Sequence, residues 1–144
     1  MTARLKKVYL AFLTPAIAGF VVAYAVRTFH QSPYLPDHIT VLGGRLIFVL
    51  AAFIAVACPV LYRSLFAGRQ RNSASVPQTV LLKFERNLIR TVMTTPYLAL
   101  IAYFFRVPRF YSAGILLLAL YAIYYYYPSE KRIMLDQRIF RSND

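Results

Sequence analysis

Acidic and basic side chains are missing from four long stretches of this 144-residue chain. No Asp, Glu, Lys, Arg or His occurs in residues 9–26, 46–62, 92–105 or 111–127. A helix needs about 20 predominantly apolar residues to cross the roughly 30 Å hydrocarbon core of a bilayer. Because the four stretches approach that length and carry no charge, we predict four transmembrane helices.

The same scarcity argues against most catalytic and transport sites. A haem held between helices needs histidines inside the spans, and an ion path ordinarily shows an intramembrane carboxylate. The single cysteine, Cys58, excludes a disulfide framework and a CxxC metal site. No phosphate-binding glycine loop or hydrolase motif occurs. We therefore predict no catalytic residue, no metal site, no cofactor and no enzymatic activity.

Hydrophobic residues make up 59% of the chain and charged residues only 15%, which is typical of a membrane protein. We predict an all-α integral membrane four-helix bundle, in which two helical hairpins are joined by a cytoplasmic amphipathic helix. Residues 1–144 form a single transmembrane domain with spans at about 8–28, 42–62, 91–106 and 110–127. A linker and amphipathic helix at 68–90 and a cytoplasmic tail at 128–144 lie outside the bilayer.

Basic residues are distributed unevenly along the chain, whose 17 Lys and Arg against 5 acids give a net charge of +12. Most of them precede the first predicted span, follow the second or follow the fourth. Lys and Arg are retained on the cytoplasmic side during insertion. We therefore predict a multi-pass protein of the plasma (inner) membrane with cytoplasmic N- and C-termini. Its cations would face anionic lipid headgroups, not nucleic acid.

Two basic segments on the predicted inner side are candidate contact surfaces. In the first, Val80, Leu81, Phe84 and Leu88 recur at helical spacing, which suits an apolar stripe lying beside the acyl chains. The tail shows a weaker version of the same pattern. The cations expected to contact lipid headgroups or a partner are Lys83, Arg86, Arg90, Lys131 and Arg132. The pattern suits a membrane surface and a partner subunit equally well.

The remaining four arginines, Arg27, Arg45, Arg106 and Arg109, gather near the predicted outer surface. They are candidates for contact with an anion or a lipid phosphate. The alternative is ordinary snorkelling of long side chains toward the headgroups.

Small residues four apart occur in the first two spans, as Gly19 with Ala23 and Ala51 with Ala55. Such spacing lets helices approach closely in lipid, so these residues are candidates for helix packing, and we expect the first two helices to form a tight hairpin. Prolines in or near the spans, at positions 15, 59 and 96, are expected to kink them.

Two classes of function remain open at this point. The leading hypothesis is a non-catalytic subunit or an assembly or scaffold factor of a larger membrane complex. The alternative is a small homo-oligomeric transporter, channel or lipid-handling protein. The predicted partners are anionic membrane lipids and other membrane subunits or further copies of this chain.

Overall fold

The computed structural model describes residues 2–29, 37–70 and 77–139, and all regular structure within them is helical. The elements are α1 (Thr2–Phe29), α2 (Asp37–Ala52), a π-helical segment (Phe53–Ala57), α3 (Cys58–Gln70), α4 (Gln78–Val92), α5 (Thr95–Phe104), α6 (Arg109–Tyr125) and α7 (Glu130–Ile139). The all-α prediction is confirmed for these ranges. Residues 30–36 of the predicted outer connection, 71–76 of the linker and 140–144 of the tail lie outside the described residues.

Two helices are long and apolar enough to cross a membrane, at Ala3–Phe29 and Thr40–Arg69. Only 11% and 17% of their most apolar stretches are buried inside the protein. The core helix of a water-soluble protein would be mostly buried, whereas these helices turn most of their apolar surface outward. Two candidate spans therefore support the membrane prediction by length and composition. The apolar helix α6, with 17 residues, and α5, with 10, are shorter.

The prolines explain where the long apolar stretches depart from α-helix. Proline has no backbone N–H, so the carbonyl four residues before it loses its usual donor. Just before Pro59 the helix widens into the π segment, where the Cys58 N–H donates to the Phe53 carbonyl, five residues back. The third stretch breaks between α4 and α5, directly before the first turn of α5 that holds Pro96. Pro15, by contrast, lies inside an uninterrupted α1.

Helix α1 packs mainly on α4 and α5, and α2 packs mainly on α6. The expected tight hairpin of the first two helices is therefore wrong. Gly19 lies against α5, where a Cβ would come within 2.6 Å of Leu100 Cδ2. Ala23, Ala51 and Ala55 are all buried. Gly19 thus admits the bulky Leu100 from the second half of the chain, because the spacing of small residues specifies a close approach but not which helix approaches.

The buried apolar residues form two clusters at opposite ends of the bundle. The outer cluster consists of Ala51, Ala99, Ala102, Val107, Ile115 and Ala119. The inner cluster consists of Leu5, Tyr9, Leu81, Phe84, Leu88, Ile89, Val92, Met93, Ala122, Tyr126 and Ile133. "Outer" and "inner" refer to the sides predicted from the basic residues.

Helix α4 contributes Leu81, Phe84 and Leu88 of its apolar stripe to the inner cluster, whereas Val80 is exposed. Leu81 and Val92 have no exposed surface, and Leu88 is 2% exposed. The burial of these residues within the protein contradicts one of the two alternatives that the sequence left open, namely that the stripe lies beside acyl chains. The helix instead packs against α1 and α3, which cover its apolar face more completely than a membrane surface would.

Candidate functional site

A cavity of about 340 Å³ opens at the outer end of the bundle, where α1 ends and α5 turns into α6. It is lined by Arg27, Ala102, Tyr103, Arg106, Val107, Pro108, Arg109 and Ser112. Three of the four outer arginines singled out in the sequence thus line one cavity, named here the arginine cavity. None of the lining residues that the structure describes is acidic.

The turn between α5 and α6 fixes Arg106 in an unusual backbone conformation. The N–H of Arg106 donates to the Tyr103 carbonyl, and the N–H of Val107 donates to the Ala102 carbonyl. These two bonds form a Schellman motif, whose left-handed position is usually occupied by glycine. Arg106 occupies it with φ of 51°, which costs roughly 1–2 kcal/mol for a residue with a side chain. Such strain is concentrated at functional sites.

A second arginine of the cavity is held by an aromatic ring. The Arg27 guanidinium lies 4.9 Å from the centroid of the Tyr103 ring, within the range of a cation–π interaction. This contact anchors the end of α1 to α5 and keeps the guanidinium at the cavity.

Arg45, the fourth outer arginine, does not line the arginine cavity. Its Nε donates to the Tyr111 hydroxyl at 3.1 Å. It borders an apolar depression on α2 and the π segment, beside Leu46 and Phe53. The sequence could not separate Arg45 from the other three, because all four lie at similar distances from the ends of the spans.

A groove of about 250 Å³ lies between α3 and α4 at the inner end. Its lining residues are Tyr62, Leu65, Phe66, Arg69, Val80, Lys83, Phe84 and Asn87, and it is named here the inner groove. The Phe84 ring stacks on Phe66, with centroids 4.2 Å apart, and on Tyr62, with centroids 5.5 Å apart. Exposed Arg69 and Lys83 supply two positive charges beside this aromatic surface. The groove can therefore accept an apolar group that carries a negative charge.

The other inner cations of the sequence prediction are distributed around this groove. Arg86 and Arg90 are exposed on α4 and share a helix face with Lys83, and Lys131 is exposed on α7. Their side chains are accessible to a headgroup or a partner.

Arg132 is placed differently, since its guanidinium is held within the protein. Its Nη1 donates to the Tyr125 carbonyl at 2.8 Å, and the group lies 4.8 Å from the centroid of the Tyr126 ring. The Tyr9 hydroxyl donates to the Ile123 carbonyl at 2.8 Å. These carbonyls belong to the last turn of α6, which lacks donors of its own and favours a positive charge. Arg132 thus makes internal contacts, and its predicted contact with a headgroup or a partner stays a prediction.

The sequence analysis did not predict a role for Glu85, an acidic residue that the structure shows to be buried. Its side chain is 3% exposed, and Oε2 lies 4.0 Å from Arg132 Nη2. Glu85 comes four residues after Leu81 and three before Leu88, so it belongs to the apolar face of α4. The position of Glu85 within the apolar stripe could have predicted its burial. A carboxylate in the middle of such a stripe requires a buried cation beside it.

No protein-family model, curated protein or solved structure matches this chain. The arginine cavity and the inner groove are therefore interpreted from their own geometry and chemistry.

Proposed function

We propose that this protein crosses the membrane four times and serves as a non-catalytic subunit or assembly scaffold of a larger membrane complex. The observation that carries the proposal is the inner groove, where exposed Arg69 and Lys83 flank a stack of aromatic rings. A rigid aromatic surface supplies contact area, and adjacent charges select the partner and its orientation.

The exposed apolar surface supports membrane insertion. Large apolar residues with exposed fractions of at least 47% run along both candidate spans, including Leu10, Ile17, Val21, Leu42, Leu46, Val49, Phe53, Val56, Val60 and Leu65. A surface of this extent is unfavourable in water and favourable in lipid.

The short helices α5 and α6 supply the other two proposed crossings. They pack on each other, with α5 also on α1 and α6 also on α2, and this packing beside the longer spans supports the assignment. Helix α6 is about 25 Å long and α5 about 15 Å at 1.5 Å per residue. The end of α4 is proposed to complete the third crossing on the inner side. Because cations are retained in the cytoplasm during insertion, both termini and the inner groove are proposed to lie on that side.

The proposed occupant of the inner groove is an acidic segment of a partner subunit that inserts one apolar side chain. Charge complementarity supports this choice, because Arg86 and Arg90 extend the positive surface from Lys83 along α4. An acidic segment that lies along α4 would contact Lys83, Arg86 and Arg90 one after another.

Purification from native membranes in mild detergent tests the proposal. The variant Arg69→Glu/Lys83→Glu reverses both charges of the groove, and Arg4→Glu/Lys7→Glu reverses two exposed charges on α1. We expect the same partner to copurify with the unmodified protein and the α1 variant, and to be lost from the groove variant. A lone monodisperse monomer, or equal loss in both variants, would contradict the proposal.

The arginine cavity favours a second candidate, a small homo-oligomeric transporter, channel or lipid-handling protein. Three arginines that line one cavity provide an attractive surface for an anion at the outer end. Liposome flux and lipid-scrambling assays on the purified protein distinguish the two functions, because a scaffold is silent in both.

A further inference from the structure

The arginine cavity combines positive charge, a fixed shape and a size suited to a small anion. We propose that it binds a phosphate group, carried either by an anionic phospholipid or by a small water-soluble phosphate compound. This inference is independent of the scaffold function, since the cavity and the inner groove lie at opposite ends of the bundle.

Charge gives the first reason. Arg27, Arg106 and Arg109 all line the cavity, and no described lining residue is acidic. Positive charges that line one cavity repel one another, and an anion bound in the cavity is attracted to each of them. The planar fork of arginine matches two phosphate oxygens at once, which makes phosphate a better ligand than a spherical anion such as chloride.

Fixed geometry gives the second reason. Arg106 is held by the Schellman motif in a conformation that glycine adopts more easily, and Arg27 is held against the Tyr103 ring. Arginines that snorkelled freely toward headgroups would need neither feature. The motif fixes the backbone from which the Arg106 side chain extends, and the ring contact restrains the Arg27 guanidinium itself. Groups that are already restrained lose less entropy when they bind, so the restraint favours a specific ligand over a diffuse ion cloud.

Size gives the third reason. A volume of about 340 Å³ is at the lower end of the range for ligand pockets. It accommodates a phosphate group and the first few atoms of its ester. Ser112 adds a hydroxyl to the lining, a neutral donor for a further phosphate oxygen.

Binding of inorganic phosphate to the purified full-length protein, by equilibrium dialysis in excess chloride, tests one source of the ligand. Retention of phosphatidic acid against phosphatidylcholine, by native mass spectrometry, tests the other. Signal in the first arm identifies a soluble phosphate compound, and signal in the second alone identifies a lipid headgroup. Absence of preferential binding in both arms would overturn the proposal.

Two substitutions provide the matched comparison. Arg106→Gly removes one cation of the cavity and places glycine where the turn favours it, so folding is preserved. Arg45→Gln removes one outer arginine that lies outside the cavity. We expect Arg106→Gly to weaken binding by about tenfold, the effect of one charge-assisted hydrogen bond pair, and Arg45→Gln by less than about twofold.

Equal weakening by the two substitutions would show nonspecific attraction to positive charge and would overturn the proposal. The partner copurification described above separates this inference from the scaffold function. Arg106→Gly is expected to retain the cytoplasmic partner, and Arg69→Glu/Lys83→Glu is expected to retain phosphate binding.

Discussion

The two ends of this bundle are stabilised in different ways. Four of the six residues of the outer cluster are alanines, and the backbones of α2, α5 and α6 approach closely there. Nine of the eleven residues of the inner cluster are Leu, Ile, Met, Phe or Tyr, and five of these nine lie on or directly after α4. Polar contacts such as Glu85 with Arg132 occur beside it. The outer end therefore depends on dispersion between close backbones, and the inner end on large side chains with polar anchors.

The difference follows from the solvent proposed for each end. Between helices in hydrocarbon there is little hydrophobic driving force, so small residues that permit close contact are favoured. At the inner interface, water is available and burial of Leu81 or Phe84 is favourable in itself. Substitutions at the two ends should therefore lower the stability of the protein for different physical reasons.

The largest effect is expected at Glu85. Glu85→Gln leaves Arg132 largely buried beside a neutral group, and breaking such a pair costs about 3 kcal/mol. Denaturant titration in mixed micelles measures the change in the free energy of unfolding. Glu130→Gln, an exposed acid on α7, is the control and should change it by less than about 0.5 kcal/mol. Equal effects of the two substitutions would show that the inner polar contact is not structural.

Neighbouring glycines of α2 test close packing at the outer end. A Cβ at Gly44 would lie 2.6 Å from Val107 Cγ1 and 3.2 Å from Tyr111 Cδ2, whereas a Cβ at Gly43 meets nothing within 4 Å. We expect Gly44→Ala to lower the unfolding free energy by about 2 kcal/mol through overpacking. Gly43→Ala should be neutral or stabilising, because alanine favours helix. The same denaturant titration measures the unfolding free energy of both variants. An unchanged unfolding free energy in Gly44→Ala would contradict close packing at this position.

The hydroxyl of Tyr9 tests a single polar anchor of the inner end. Tyr9→Phe leaves the Ile123 carbonyl in the last turn of α6 without this donor, which should cost about 1 kcal/mol. Tyr124→Phe changes a residue that is 87% exposed and should cost nothing measurable. Thermal unfolding in one detergent compares the pair. A neutral Tyr9→Phe would show that water replaces the hydroxyl at this carbonyl.

The smallest effect, and one of opposite sign, is expected at Arg106. Arg106→Gly relieves the left-handed strain but adds freedom to the unfolded chain, so the net gain is about 0.5 kcal/mol. Thermal unfolding without phosphate measures this gain. Arg106→Ala removes the same charge while retaining the strain, and it should not stabilise. A destabilised Arg106→Gly would mean that the arginine stabilises the turn through contacts of its own.

The sequence predicted the all-helical class and the long apolar stretches of α1 and of α2 with α3. It also grouped Arg27, Arg106 and Arg109, which line one cavity, but it grouped Arg45 with them, which lies outside that cavity. It could not predict the partner of each helix, since small residues such as Gly19 indicate close approach to any neighbour.

Helix α4 shows why pattern alone was insufficient. An apolar stripe opposite a basic face looks the same whether it lies on a membrane or packs into the base of a bundle. The one distinguishing residue was Glu85, whose register places a carboxylate where acyl chains would be. Its burial beside Arg132 depends on α7, which is distant in the chain and has no pattern that identifies its neighbour.

Cysteine accessibility tests the central claim that the arginine cavity and the inner groove face opposite sides of a bilayer. In a Cys58→Ser background, single cysteines replace exposed Thr28, at the outer end of α1, and exposed Asn87, at the inner groove. A membrane-impermeant maleimide is then applied to sealed cells. We expect immediate labelling at position 28, and labelling at position 87 only after permeabilisation. Labelling of both positions from the same side would contradict the claim.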